Sequence, residues 1–198
     1  MLPAKTPTEA SGFKALLKNR PFLFLWAGQV LSQIADKVLL VMSIALLTSY
    51  NVPVKYAASS SSYLMIATTI PAIFFGAAAG VFIDRYPKKK IMVLADVVRG
   101  SLILLLPILP KEFLILLIIT FAISAVTQAF APAEQSAIPL VVKPENLLTA
   151  NALFTTTTTA SIIVGFAIGE PLLTAVTNIS KNNASQEILV ASLYFVAA

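Results

Sequence analysis

Five charged residues stand well inside long apolar stretches of this chain: Asp36, Lys37, Asp96, Arg99 and Glu170. A charge in a low-dielectric span is expensive, so each marks a place where a partner, a proton or a substrate meets it. The chain has no Cys and no His. Thiol nucleophiles, disulfides, Cys/His metal sites and imidazole bases are thereby excluded, no metal or cofactor is expected, and any proton chemistry falls to carboxylates. Asp36 follows Gln29, Ser32 and Gln33 at spacings of three and four, which puts all four on one helical face. Such a face looks into the protein or a water-filled cavity rather than into lipid. Asp36, with Gln29 and Gln33, is the first choice for contact with a substrate or a coupling ion; plain helix–helix hydrogen bonding accounts for the same stripe. Lys37 neutralises Asp36 or points about 100° away from it. Asp96 and Arg99, three apart, can pair along one helix and lower the cost of burying either.

A second constellation is the basic turn Gly80-Val81-Phe82-Ile83-Asp84-Arg85-Tyr86-Pro87-Lys88-Lys89-Lys90. Asp84 ends one apolar run and faces the start of the next, where it can cap free helix N–H groups and pair with Arg85 or another basic group. Lys88, Lys89 and Lys90 set membrane topology and touch anionic headgroups. Asp96 lies roughly 9 Å past Lys90 at the helical rise, so Asp96 and Arg99 fall to an inner gate. Glu170 has two readings: a span-embedded carboxyl that carries a coupling proton, or a charge at the outer water interface with no role.

The elements that position these groups follow from composition. Hydrophobic residues make up 58% of the 198 and charged residues 12%, far from the soluble balance of roughly half and a quarter. The net charge of +5 does not point to nucleic acid, because the basic residues cluster in short turns beside apolar spans rather than along a stripe. A polar arm over residues 1–20 precedes spans at about 22–49, 57–83, 91–109, 113–137 and 147–177, and a sixth begins at 187–198. The first run is too long for a signal-peptide core and is read as a retained span. Pro71 is expected to kink span two, and Ala72, Gly76 and Gly80 to admit a close neighbour. Pro132 and Pro139 are expected to break up the inner end of span four, whose polar positions include Thr127, Gln128 and Glu134. The threonines of 155–159 bond back to their own helix.

Lys5, Lys14, Lys18, Arg20, Arg85, Lys88, Lys89, Lys90 and Lys143 fall on the arm and two connections. Only Lys55, Lys111 and Lys181 fall on the other side, so the amino terminus is expected in the cytoplasm. The sixth span has about a dozen residues where roughly twenty are needed; the chain is expected to be the first part of something longer.

The segment Gly80-x-x-x-Asp84-Arg85-x-Pro87-Lys88-Lys89 resembles the signature loop between the second and third helices of the major facilitator superfamily, with Pro87 where Gly is usual. Phe130-Ala131-Pro132-Ala133, Ile138-Pro139 and Asn146-Leu147-Leu148-Thr149-Ala150-Asn151-Ala152-Leu153 are similar to the macrolide-efflux and lysophospholipid-transporter branch. Gly165-Phe166-Ala167-Ile168-Gly169-Glu170-Pro171 is similar to the fifth-helix antiporter motif, with Phe166 for a Pro and Glu170 for a Gly. The resemblance implies an all-α, polytopic membrane helix bundle: the six-span amino-terminal half of a twelve-span facilitator fold in a bacterial plasma membrane. It implies that Asp84 and Arg85 latch the outward-open state against a carboxy-terminal six-span half, supplied by the same polypeptide or a second chain. The expected function is secondary transport: export of a hydrophobic or amphipathic small molecule by alternating access, coupled to protons or another ion. No phosphate-binding glycine loop appears, so ATP is not the evident energy source. The rival is a non-transporting membrane scaffold or regulatory protein derived from a transporter half. An enzyme is not expected, with no His, no Cys and no close carboxylate pair evident.

Overall fold

The computed structural model describes residues 12–83, 85–180 and 184–198, with the backbone alone at 77–82 and 179–180. The described residues form eight α-helices. These are α1 (Phe13–Lys18), α2 (Arg20–Leu46), α3 (Val54–Ala57), α4 (Ser60–Ile83), α5 (Lys88–Leu105), α6 (Phe113–Val141), α7 (Leu147–Ser180) and α8 (Ser185–Ala197). Among the described residues, three stretches are long and apolar enough to cross a membrane: Arg20–Ser49, Phe113–Val141 and Pro144–Asn178. Each leaves its backbone bonds inside the helix, as lipid requires. The arrangement is an all-α membrane bundle of partial length. In it α2 packs on α7 and α8, α5 on α6 and α8, and α4 on α6.

Local chemistry explains the boundaries. Asn19 accepts from the Phe22 N–H at 3.3 Å and Pro21 sits in the first turn of α2, so the helix starts where its free donors are met. The same Asn19 side chain donates to the Val141 carbonyl at 2.5 Å, tying the start of α2 to the end of α6. The Gly12 N–H donates to Asn146 Oδ1 at 2.9 Å and docks α1 on the α6–α7 connection. Leu16, Phe22, Ile138, Val142, Ala150 and Phe154 form the apolar cluster beneath that contact. At the opposite end, the Asn51 N–H donates to the Lys111 carbonyl at 2.8 Å, and Asn51 Nδ2 to Glu112 Oε1 at 3.2 Å. These bonds join the α2–α3 turn to the α5–α6 turn.

Three expectations shift. The basic loop is shorter than the sequence implied, because Gly80 lies in the last turn of α4 and the three lysines form the first turn of α5. Cations are unfavourable at a helix start, but Lys88 Nζ reaches back to the Ile83 carbonyl at 2.8 Å and serves the C-terminus of α4 instead. Span four does not break up: α6 runs through Pro132 and Pro139 to Val141. Ser136 Oγ hydrogen-bonds the carbonyls of Pro132 and Ala133 at 2.7 and 3.0 Å, meeting main-chain acceptors in that stretch. At Gly76 an added Cβ would meet nothing within 4 Å, so no described neighbour uses the close approach that residue permits.

Candidate functional site

One guanidinium organises the middle of the bundle. Arg99 on α5 is fully buried. Its Nη1 donates to Asp36 Oδ1 on α2 at 3.1 Å and to Thr127 Oγ1 on α6 at 3.4 Å. Its Nη2 donates to Ser32 Oγ at 2.7 Å and to Asp96 Oδ1, one turn back on α5. Ser32 Oγ in turn donates to Asp96 Oδ1 at 3.2 Å. On α8 the Tyr194 hydroxyl donates to Asp36 Oδ1 at 2.5 Å. The guanidinium carbon lies 4.6 Å from the ring centroids of both Phe130 and Tyr194, within cation–π range. Planar delocalised charge suits Arg to this double duty, forking to carboxylates while stacking on rings. Four helices therefore meet on a single cation.

The spacing along the chain paired Asp96 with Arg99 and set Asp36 apart on its own face; the fold brings all three together. Asp36 keeps a fifth of its side chain exposed, whereas Asp96 and Arg99 keep almost none. Asp36 is thus the most exposed of the three charged residues. Gln29 lies elsewhere, in the seam between α2 and α7. There its Nε2 donates to Thr158 Oγ1 at 2.9 Å, next to Trp26 Nε1 donating to Thr157 Oγ1 at 3.0 Å. Thr158 and Thr159 also bond back to the carbonyls of Phe154 and Thr155. Gln33 is half-buried outside the Arg99 network.

Gly165 and Gly169 are buried in the same seam. A Cβ at Gly165 would stand 2.5 Å from Lys37 Cβ, and one at Gly169 would stand 3.1 Å from Val41 Cγ2. The two glycines let the α7 backbone close onto α2 beside Asp36. Glu170 is exposed on α7. Arg85 and Lys89 are exposed at the α4–α5 end, and Asp84 lies outside the described residues.

Two residues of the cluster were not singled out from sequence. Tyr194 belongs to the short last helix. Glu134 on α6 is 5% exposed, and its Oε1 is buried without a hydrogen-bond partner among the described residues. Glu134 stands in the electrostatic field of Asp36, Asp96 and Arg99. A charged residue in an apolar helix is the signal that finds it, once the helix is known to continue through Pro132. An apolar cavity of about 790 Å³ opens beside the cluster where α2 and α5 begin; Asp96, Lys88 and Lys89 are its charged lining and the last residues of α8 close one side. No group of three or more metal-binding side chains occurs among the described residues.

Comparison with known proteins adds to this geometry. Residues 5–180 match the family model of the Major Facilitator Superfamily. Over 161 residues the chain is 34% identical to a Bacillus subtilis (strain 168) protein named as a bacilysin exporter, BacE, covering 79% of this chain and 38% of that protein. It is 31% identical to macrolide efflux protein A of Streptococcus pyogenes over 133 residues, 64% of this chain and 31% of that protein. It is 28% identical to an uncharacterized MFS-type transporter, YkuC, of Bacillus subtilis (strain 168), over 78% of this chain and 36% of that protein. The matched region thus spans under two-fifths of these relatives' lengths. No solved structure matches the chain. With the family model covering most of its length, the chain is an integral membrane member of the Major Facilitator Superfamily.

Proposed function

We propose that the chain is the amino-terminal half of a secondary transporter that exports a hydrophobic or amphipathic small molecule by alternating access. It works with a carboxy-terminal six-span half and is coupled to protons or another ion. Residues 1–20 form a cytoplasmic arm and 21–198 the transmembrane bundle, in a bacterial plasma membrane. The observation that carries this reading is the buried Arg99 cluster. An inert membrane scaffold gains little from a cation and carboxylates placed inside its spans, whereas a transporter needs charged groups that can change partners there. In this reading Asp36, the exposed edge of the cluster, meets substrate or coupling ion, and Asp96 and Arg99 hold the state in which α2, α5, α6 and α8 are gathered. Asp84 and Arg85 of the basic turn latch the inner face, the lysines beside them set topology, and Gly165 and Gly169 act as the surface on which α7 bears on α2.

The test is efflux from cells that express the full-length protein, using a panel of hydrophobic and amphipathic toxicants including a macrolide. Asp96→Asn is expected to cut efflux by about tenfold, the scale of a 1–3 kcal/mol coupling, while membrane abundance holds. Full-length protein that confers no efflux of any compound, or an Asp96→Asn variant that exports as well as the parent, favours the scaffold instead.

A further inference from the structure

Counting charge around Arg99 leaves an imbalance. One guanidinium is paired with Asp36 on α2 and Asp96 on its own helix, and Glu134 on α6 stands in the electrostatic field of all three. The other titratable group at the cluster, Tyr194 on α8, is a phenol that donates to Asp36. Two carboxylates already hold the Arg99 fork, and no ion pair joins Arg99 to Glu134 among the described residues. Glu134 is nevertheless almost wholly buried, with Oε1 unpartnered. A third carboxylate in that space would be uncompensated, and removing such a charge from water costs several kcal/mol. A metal ion is not the answer the geometry offers, since no cluster of metal-binding side chains occurs among the described residues. A proton is. One donor remains in reserve, because Arg99 Nε is also buried without a partner among the described residues.

We propose that Glu134 is the proton-carrying group of this half, holding a proton while Arg99 is bound to Asp36 and Asp96 and losing it when Arg99 shifts toward α6. The step is an acid dissociation. The Glu134 O–H bond breaks, the proton passes to water, and the carboxylate left behind pairs with the guanidinium, using the unpartnered Nε. Asp36, the more exposed of the two carboxylates on the fork, is then released from its Arg99 partner. Protonation of α6 and the free or bound state of Asp36 thereby become alternatives of one switch. This deepens the transport reading and rests on it, since the proton carrier matters only if the bundle changes state.

Two readouts on the full-length protein, purified into nanodiscs, test it. The first is the infrared C=O stretch of a buried protonated carboxyl at neutral pH. It is expected in the parent and in Asp36→Asn, and absent in Glu134→Gln. Glu134→Asp, which keeps an acid, is the control for a variant that fails to fold and is expected to retain the band. The second is the rate at which an impermeant maleimide labels Lys89→Cys, on the exposed first turn of α5; the 198 residues contain no other Cys. Because maleimide reacts with the thiolate, that rate is divided by the rate for a small-molecule thiol at the same pH; the ratio is expected to vary with pH in the Glu134 background and to lose its pH dependence with Glu134→Gln. A parent without the band, or a band that survives Glu134→Gln, overturns the assignment of the proton. If the band behaves as expected but the labelling ratio ignores pH in the parent, Glu134 holds its proton without driving a movement; the switch then fails while the efflux assay above still judges transport.

Discussion

Arg99 sets the stability of the site as well as its chemistry. Removing one member of a buried ion pair leaves the others desolvated and unpaired, at a cost of about 3–5 kcal/mol. Arg99→Ala strands Asp96 and most of Asp36 and also empties the space beside Phe130 and Tyr194. It is expected to lower the thermal unfolding midpoint of the full-length protein sharply. Arg99→Lys is expected to recover only part, since an ammonium cannot fork to Asp36, Asp96, Ser32 and Thr127 while stacking on two rings. An Arg99→Lys protein as stable as the parent would show that charge alone matters, and that the rings and the fork do not. At this scale the sequence was partly readable. Asp96 and Arg99 announce themselves by a spacing of three along one helix. That Asp36 shares their cation depends on which face of α2 meets α5, and spacing within one helix carries no such information. Glu134 was read only as one polar position of span four, because spacing along α6 does not show that it faces a cluster built mostly on α2 and α5.

Helix α7 owes its seat on α2 to the lack of side chains at Gly165 and Gly169. Alanine is worth about 1 kcal/mol more than glycine in a helix interior, so Gly→Ala substitutions separate propensity from packing. At Gly165 the new Cβ would sit 2.5 Å from the Cβ of Lys37, a rigidly placed atom rather than a flexible tip. Gly165→Ala is expected to destabilise by about 1–3 kcal/mol, the usual cost of overpacking. Gly76→Ala meets nothing within 4 Å and is expected to be neutral or slightly stabilising. Thermal unfolding of both variants in the same detergent checks the contrast, and equal effects would mean that α2 and α7 are not closely apposed. Helix existence and order were legible from apolar run length, and the glycines from their motif. Their partner was not, because small-residue spacing marks Gly76 and Gly165 alike and only the fold distinguishes a used approach from an open one.

Across the whole molecule, the two ends of the bundle differ in what ties them and in charge. One end carries the α1 docking contact, the Asn19–Val141 bond, and Arg85, Lys88, Lys89 and Lys90 at the α4–α5 junction. The other carries the Asn51–Lys111 and Asn51–Glu112 bonds, beside an aromatic group of Tyr56, Tyr63 and Phe113 with Lys55 over the Tyr56 ring. Rings with a polar edge favour the headgroup level, and an excess of Lys and Arg favours the cytoplasmic side. We propose on this ground that the first end lies inside and the second outside, an orientation in which the cavity beside Asp96 opens to the cytoplasm. Because these 198 residues contain no Cys, single reporters can be placed in this half without removing a native one. In intact cells, Lys55→Cys is expected to react with an impermeant maleimide, and Lys89→Cys only after the membrane is permeabilised. The reverse pattern would invert the bundle and turn the cavity outward. Asp84 and Arg85 could then no longer latch a cytoplasmic face, and a substrate entering at the cavity would be taken up rather than expelled.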